Sequence, residues 1–174
     1  MSLSRKFAVV GVLCLAVGGA LFYWFISSHS FSARAKPLAV EAFVARNLRH
    51  LALPPGVRSL KNPVNETPLA VADARDHFAD HCAVCHGNRG DGQTVINNGL
   101  YPPAPDLRLA GTQGMSDGEL FYIIKNGIRF TGMPGWGGSD EVNWSLVSFI
   151  RHLPKLSEKE VELMQEVNGL HSRR

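Results

Sequence analysis

Phe78-Ala79-Asp80-His81-Cys82-Ala83-Val84-Cys85-His86-Gly87 is the stretch from which the rest of the chain is read. Two cysteines three apart, followed at once by a histidine, form the C-x-x-C-H pattern of covalent haem attachment. The spacing has a mechanical reason. At the end of a helix, two thiols three residues apart can each form a thioether to a haem vinyl group, and the next residue then points its imidazole at the iron. The pattern therefore assigns one haem c to Cys82 and Cys85, with His86 as an iron ligand. Other chemistries use the same residue types. A thioredoxin-type dithiol wants a βαβ context, and no alternating strand pattern is in sight. A zinc site could recruit His77, His81 or His86, yet structural zinc usually draws a second ligand pair from a distant segment, and none is evident.

Outward from the motif, the residues from Leu69 to Cys82 favour helix, with Val71 and Phe78 available to a core. Gly87 to Gly92 and Tyr101-Pro102-Pro103-Ala104-Pro105 are incompatible with long regular elements and read as loops wrapped around something. Ser116-Asp117-Gly118-Glu119 is a capping box opening a helix through Lys125, with Asn126-Gly127 at its C-terminus. Ser139 precedes a helix with Trp144, Val147, Phe149, Ile150 and Leu153 on one face, ending at Pro154. Ser157 with Glu160 caps a last helix bearing Val161 and Met164. The pattern predicts an all-α protein with no internal repeat.

The N-terminal part is different in kind. Phe7 to Ile26 holds no charged residue, and at ~1.5 Å per residue it reaches about 30 Å, the thickness of bilayer hydrocarbon. Arg5 and Lys6 before it keep the N-terminus cytoplasmic by the positive-inside tendency, and Tyr23 and Trp24 suit the far interface. The alternative is a cleaved signal, since Ala33-Arg34-Ala35 offers small residues at a peptidase spacing. Either way the remainder is exported to the periplasmic or extracytoplasmic side. Cys14, within the apolar run, reads as an inert buried thiol.

Charge divides the rest of the chain. The protein carries a net +3, too little to suggest nucleic-acid binding, and no basic cluster is interleaved with aromatics. Residues 33–68 are net +4, residues 69–154 net −3, and the tail from Lys155 is balanced. Val40, Phe43, Val44, Leu48 and Leu51 recur at helical steps, predicting an amphipathic helix between Pro37 and Pro54-Pro55 whose apolar face rests on the haem domain, the membrane or a partner. The expected organisation is an anchor at 1–28, a basic connector at 29–68, a haem domain at 69–154 and a helical extension at 155–174, the extension and the connector helix suiting docking surfaces.

Residues 69–154 resemble a class I cytochrome c, with several separate motifs in the right order. Phe78 matches the aromatic of the family's N-terminal helix, and Ala74 stands where the family often has glycine at a helix crossing. The resemblance implies that Pro105, in Ala104-Pro105-Asp106-Leu107, offers its carbonyl to the proximal imidazole, which would fix the ring's tautomer. It also implies that Met133, in Asn126-Gly127-Ile128-Arg129-Phe130-Thr131-Gly132-Met133-Pro134, is the second axial ligand. Met115 and His152 are rival donors. Trp136 is read as core or haem packing, Trp144 as core, and His77 and His81 as solvated.

A haem with His86 and Met133 on the iron has no open position for a small-molecule substrate, so the expected function is one-electron transfer rather than catalysis. The implied partners are a redox donor and acceptor, such as an oxidase or another membrane complex of a respiratory chain. A haem sensor or enzyme subunit with a labile sixth ligand is the competing class.

Overall fold

The computed structural model describes residues 3–28, 32–64 and 67–171. Met1, Glu66 and the basic pair Arg173-Arg174 lie outside them. The chain divides into two compact units, Met1–Ala35 and Lys36–Arg174. Among the described residues every regular element is helical.

The first unit is one helix, α1 (Leu3–Ser28), with none of its residues buried. At ~1.5 Å per residue its 26 residues are longer than the ~30 Å of bilayer hydrocarbon, and they are apolar enough to cross it. Cys14 is exposed on this helix rather than buried among side chains, because α1 has no packing partner within its unit.

The second unit opens with α2 (Ala39–Leu51), followed by a short 3-10 turn at Val57–Ser59. Next comes α3 (Pro68–His77), opened by the Thr67 hydroxyl, which accepts from the Ala70 amide, with Pro68 at the first position where no donor is needed. The helix does not stop at His77. It passes through one wide turn, Phe78–Cys82, in which the Ala83 amide bonds back to the Phe78 carbonyl, and continues as α4 (Ala83–His86). Gly87, at φ +72°, ends it. A short α5 (Ala110–Gln113) precedes α6 (Asp117–Asn126), α7 (Asp140–His152) and α8 (Glu158–His171).

The core lies where α3, α6 and α7 meet. Ala74 and Phe78 are almost fully buried, and the Phe78 ring lies 5.2 Å from that of Phe149. Phe121 stacks on Trp144 at 4.1 Å. Val147 and Phe149 on the inner face of α7 and Leu153 just after it complete the core, each side chain contributing about 1.5–3 kcal/mol by leaving water. The capping box on α6 is formed as its sequence predicts: the Ser116 hydroxyl accepts from the Glu119 amide and Glu119 accepts from the Ser116 amide. Ser157 and Glu160 do the same for α8.

One expectation changes. The extension after Pro154 is not a free docking surface, because Val161 and Met164 of α8 are buried in the core and Asn168 donates to the Ala79 carbonyl in the wide turn at 2.5 Å. The connector loop is likewise packed down. Asn62 donates to the Trp144 carbonyl at 3.0 Å and the Ser148 hydroxyl at 2.8 Å. The Val57 carbonyl lies so close to Gly118 that a Cβ there would come within 1.8 Å of it.

Candidate functional site

Cys82, Cys85 and His86 sit on the last two turns of the α3–α4 helix, all three half-buried. Both cysteines are free thiols. Burial, with the neighbouring Cys85 adding to it, pushes the Cys82 thiol up to about 12. A redox dithiol works as a thiolate and needs the opposite shift. The Cys82 thiol is thus kept neutral, and the two cysteines lie three apart on one helical end, which suits thioether formation.

The His86 imidazole is held below its ordinary pKa by burial, partly offset by the Pro105 carbonyl. Its Nδ1 is buried without a well-formed hydrogen bond, so the Pro105 oxygen is near enough to favour a proton on Nδ1 but short of ideal alignment. The backbone that brings Pro105 there is tightly specified. The Gly92 amide donates to the His86 carbonyl at 2.8 Å, and the Leu107 amide to that of Gly90 at 2.7 Å. The buried Asn97 side chain joins the two strands of this loop. Its amide donates to the Gly92 carbonyl at 2.6 Å and the Ala104 carbonyl at 3.2 Å, and its oxygen accepts from the Ala104 amide at 2.5 Å. Asn97 was not singled out from the sequence; the signal was Thr94, whose hydroxyl accepts from the Asn97 amide at 3.0 Å in a turn that a T-x-x-N stretch invites.

Met133 lies on a loop closed backbone against backbone at the end of α6. The Ile128 amide donates to the Met133 carbonyl at 3.1 Å, and the Trp136 amide to the Ile124 carbonyl at 3.1 Å. The Thr131 hydroxyl accepts from the Met133 amide at 3.1 Å and donates to the Ile128 carbonyl at 2.8 Å. A Cβ on Gly127 would come within 2.5 Å of the Gly135 nitrogen, so a side chain there would open the loop. The loop touches the chain on either side of the attachment motif in sequence. Gly132 lies against the Leu100 side chain, which follows the proximal loop, while Trp136 packs edge-on against His81 at 5.5 Å, one residue before Cys82. His81 in turn stacks on His77 at 4.5 Å. The two histidines are therefore partly covered ring partners rather than solvated, because the wide turn carries His81 to Trp136 and His77 stacks on it. Trp136 is 41 % exposed and belongs to this cluster, not to the core, whereas Trp144 is core.

The rival donors are engaged elsewhere. His152 pairs with Glu160 at 2.8 Å, and Met115 packs against the core. Arg151 fixes the bend that holds Met115, donating to its carbonyl, to that of Gln113 and to Asp117.

Two free thiols, a following imidazole and a thioether on an adjoining loop form a donor set that fits a covalently attached haem. Residues 69–150 match the family described as cytochrome c oxidase, cbb3-type, subunit III. These residues are a cytochrome c domain. No curated protein matches the chain. A cytochrome c domain carries electrons on covalently bound haem, and the free Cys82 and Cys85 are consistent with that attachment. The cytochrome domain comes after α1, which is of a length and composition found in both membrane anchors and signal segments.

Proposed function

We propose that the chain is a one-electron carrier held by α1 on the outer side of the cytoplasmic membrane, with one haem c on Cys82 and Cys85 and with His86 and Met133 as axial ligands. When bound, the haem supplies a reversible one-electron couple. The protein's residues set how that couple behaves. The Pro105 carbonyl facing His86 Nδ1 would favour a proton there and so leave Nε2 free as a base. Met133 provides a thioether, which raises the potential relative to a second imidazole. With protein at both axial positions, no site is left for a substrate, and electron transfer is the remaining role.

The observation that carries this reading is the Met133 loop, whose Gly132 lies against Leu100 and whose Trp136 meets His81, the residue before the attachment motif. Elimination supports it. Met164 is sealed in the core, Met115 packs against it and His152 is bound to Glu160. The matched family is named for an oxidase subunit, which favours work in a respiratory chain, either as a carrier or as the cytochrome subunit of a redox complex. Its partners would be protein donors and acceptors.

The test is Met133→Ala on the full holoprotein. The weak long-wavelength absorption of a ferric iron–thioether bond should vanish, the potential should fall, and the reduced form should begin to bind carbon monoxide, which the parent protein binds slowly or not at all. Loss of the band in Met115→Ala, with Met133→Ala unaffected, would refute the ligand set. Rapid carbon monoxide binding by the parent would move the protein to the sensor or enzyme class.

A further inference from the structure

α2 is attached to the cytochrome domain by its polar side. Near its start Glu41 accepts from the Tyr101 hydroxyl at 2.6 Å, and near its end His50 Nδ1 lies 3.3 Å from Glu119. Arg58, which also donates to Glu119 at 3.2 Å, clasps the His50 carbonyl at 2.9 Å. Between these ties Ala42 and Arg49, seven residues apart, are the half-buried positions. At 3.6 residues per turn, Val40, Phe43, Val44, Leu48 and Leu51 fall on the opposite side. Their exposures run from 46 % to 81 %. The one polar residue within that arc, Asn47, turns its amide back onto the Phe43 carbonyl at 2.8 Å. The haem domain, expected as one resting place for this face, is therefore excluded, because the domain holds the other side.

Charge and chain length point to one occupant. Arg34 and Lys36 precede α2, the exposed Arg46 lies on it, and its single acid, Glu41, is engaged by Tyr101. The domain at 69–154 is net −3, so an anionic surface repels it and attracts the connector. Ten residues separate Ser28, the end of α1, from Ala39, a reach of at most ~35 Å. An exposed apolar arc on a net basic segment, close in sequence to a helix able to span, has the features of an interfacial helix. We propose that α2 lies in the headgroup layer of an anionic bilayer, apolar face inward, and carries the cytochrome domain on its polar back. This rests on the reading of α1 as an anchor. It makes the connector a mount that fixes the domain's orientation over the membrane.

The experiment uses the full holoprotein, reconstituted in vesicles of phosphatidylcholine and phosphatidylglycerol and treated with a charged, impermeant maleimide. In a Cys14→Ser background, Phe43→Cys and Leu48→Cys should be modified several-fold more slowly than Glu162→Cys on the exposed side of α8. Omitting phosphatidylglycerol should narrow that difference. Modification of all three positions at one rate would overturn the proposal, as would protection that appears only in native membranes, which would assign the face to a protein partner. The otherwise unaltered chain, with Cys14 in α1, reports the anchor separately. Cys14 shielded while positions 43 and 48 react freely would sink this inference and leave the anchor standing, whereas a freely reacting Cys14 would refute the anchor itself.

Discussion

Asn97→Ala separates the loop that positions His86 from the helix that bears it. The side chain makes three hydrogen bonds, to the Gly92 carbonyl and to both backbone groups of Ala104, and the residue is buried. A net hydrogen bond contributes about 0.5–1.5 kcal/mol, and a buried group left unpaired costs about 1–3 kcal/mol. The Ala104 amide and the Gly92 carbonyl both lose a partner in the variant. Water entering the space left by the side chain recovers part of that loss, so the expected destabilisation is about 2–4 kcal/mol.

The consequence for function is separable from stability. Pro105 follows Ala104 directly, so freeing Ala104 loosens the carbonyl that faces His86 Nδ1. The assay is denaturant unfolding of the holoprotein with a redox titration of the same sample under native conditions. The midpoint of unfolding should fall and the potential should shift, because the basicity of His86 depends on that carbonyl. Asn97→Asp should be no better than alanine, since it keeps an acceptor for the Ala104 amide but sets a carboxylate oxygen against two carbonyls. A change in stability under ~0.5 kcal/mol, the range of ordinary surface substitutions, with an unchanged potential, would refute the role given to Asn97.

Gly118→Ala should cost about 1–3 kcal/mol, the usual range for overpacking, because the new Cβ meets the Val57 backbone and the connector must lift away. Faster proteolysis within residues 52–64 checks the cause, and Gly111→Ala, with nothing within 4 Å, should be neutral or slightly stabilising. Glu119 is pushed up by burial but pulled further down by hydrogen bonds from the Ser116 amide, His50, Arg58 and the Ser116 hydroxyl, so its folded pKa lies below the ordinary value. A depressed carboxylate contributes stability above its unfolded pKa, about 4.3, and loses it as pH falls through the folded value. Glu119→Gln keeps the capping geometry but not the charge, so the stability gap between the two proteins should close as pH is lowered below ~4. A gap that stays constant there would show that the charge contributes nothing.

The elements were legible where one local signal sufficed. The Ser116–Glu119 box, the Ser139 and Ser157 starts, the face of α7 and the period of α2 each depend on residues within a few positions of one another, and the structure follows them. What the sequence could not show is set by contacts between distant segments. No periodicity announces the wide turn at Phe78–Cys82, yet it decides which way the site faces. An extra residue in one turn rotates everything after it by about 100°. Ala74 and Phe78 bury against α7 up to that turn, and Cys82, Cys85 and His86 follow it half-buried. The same rotation brings His81 to Trp136, which the residues taken singly gave no reason to expect.

The wide turn also accounts for α8. Opening a helix by one residue disturbs its ladder where it carries the attachment site, and Asn168 supplies a donor to the Ala79 carbonyl inside that turn. Val161 and Met164 add apolar cover beneath it, and Arg89 of the proximal loop forms a two-pronged pair with Glu158 at the start of α8. A domain of this size buries too little surface to hold an irregular helix and two long loops by itself. On one side α8 braces the helix and the loop after His86, while on another the connector seats Val57 on Gly118 and Asn62 on α7. Within residues 36–171, the segments outside the matched residues 69–150 thus brace the site's framework, while the apolar face of α2 is turned outward.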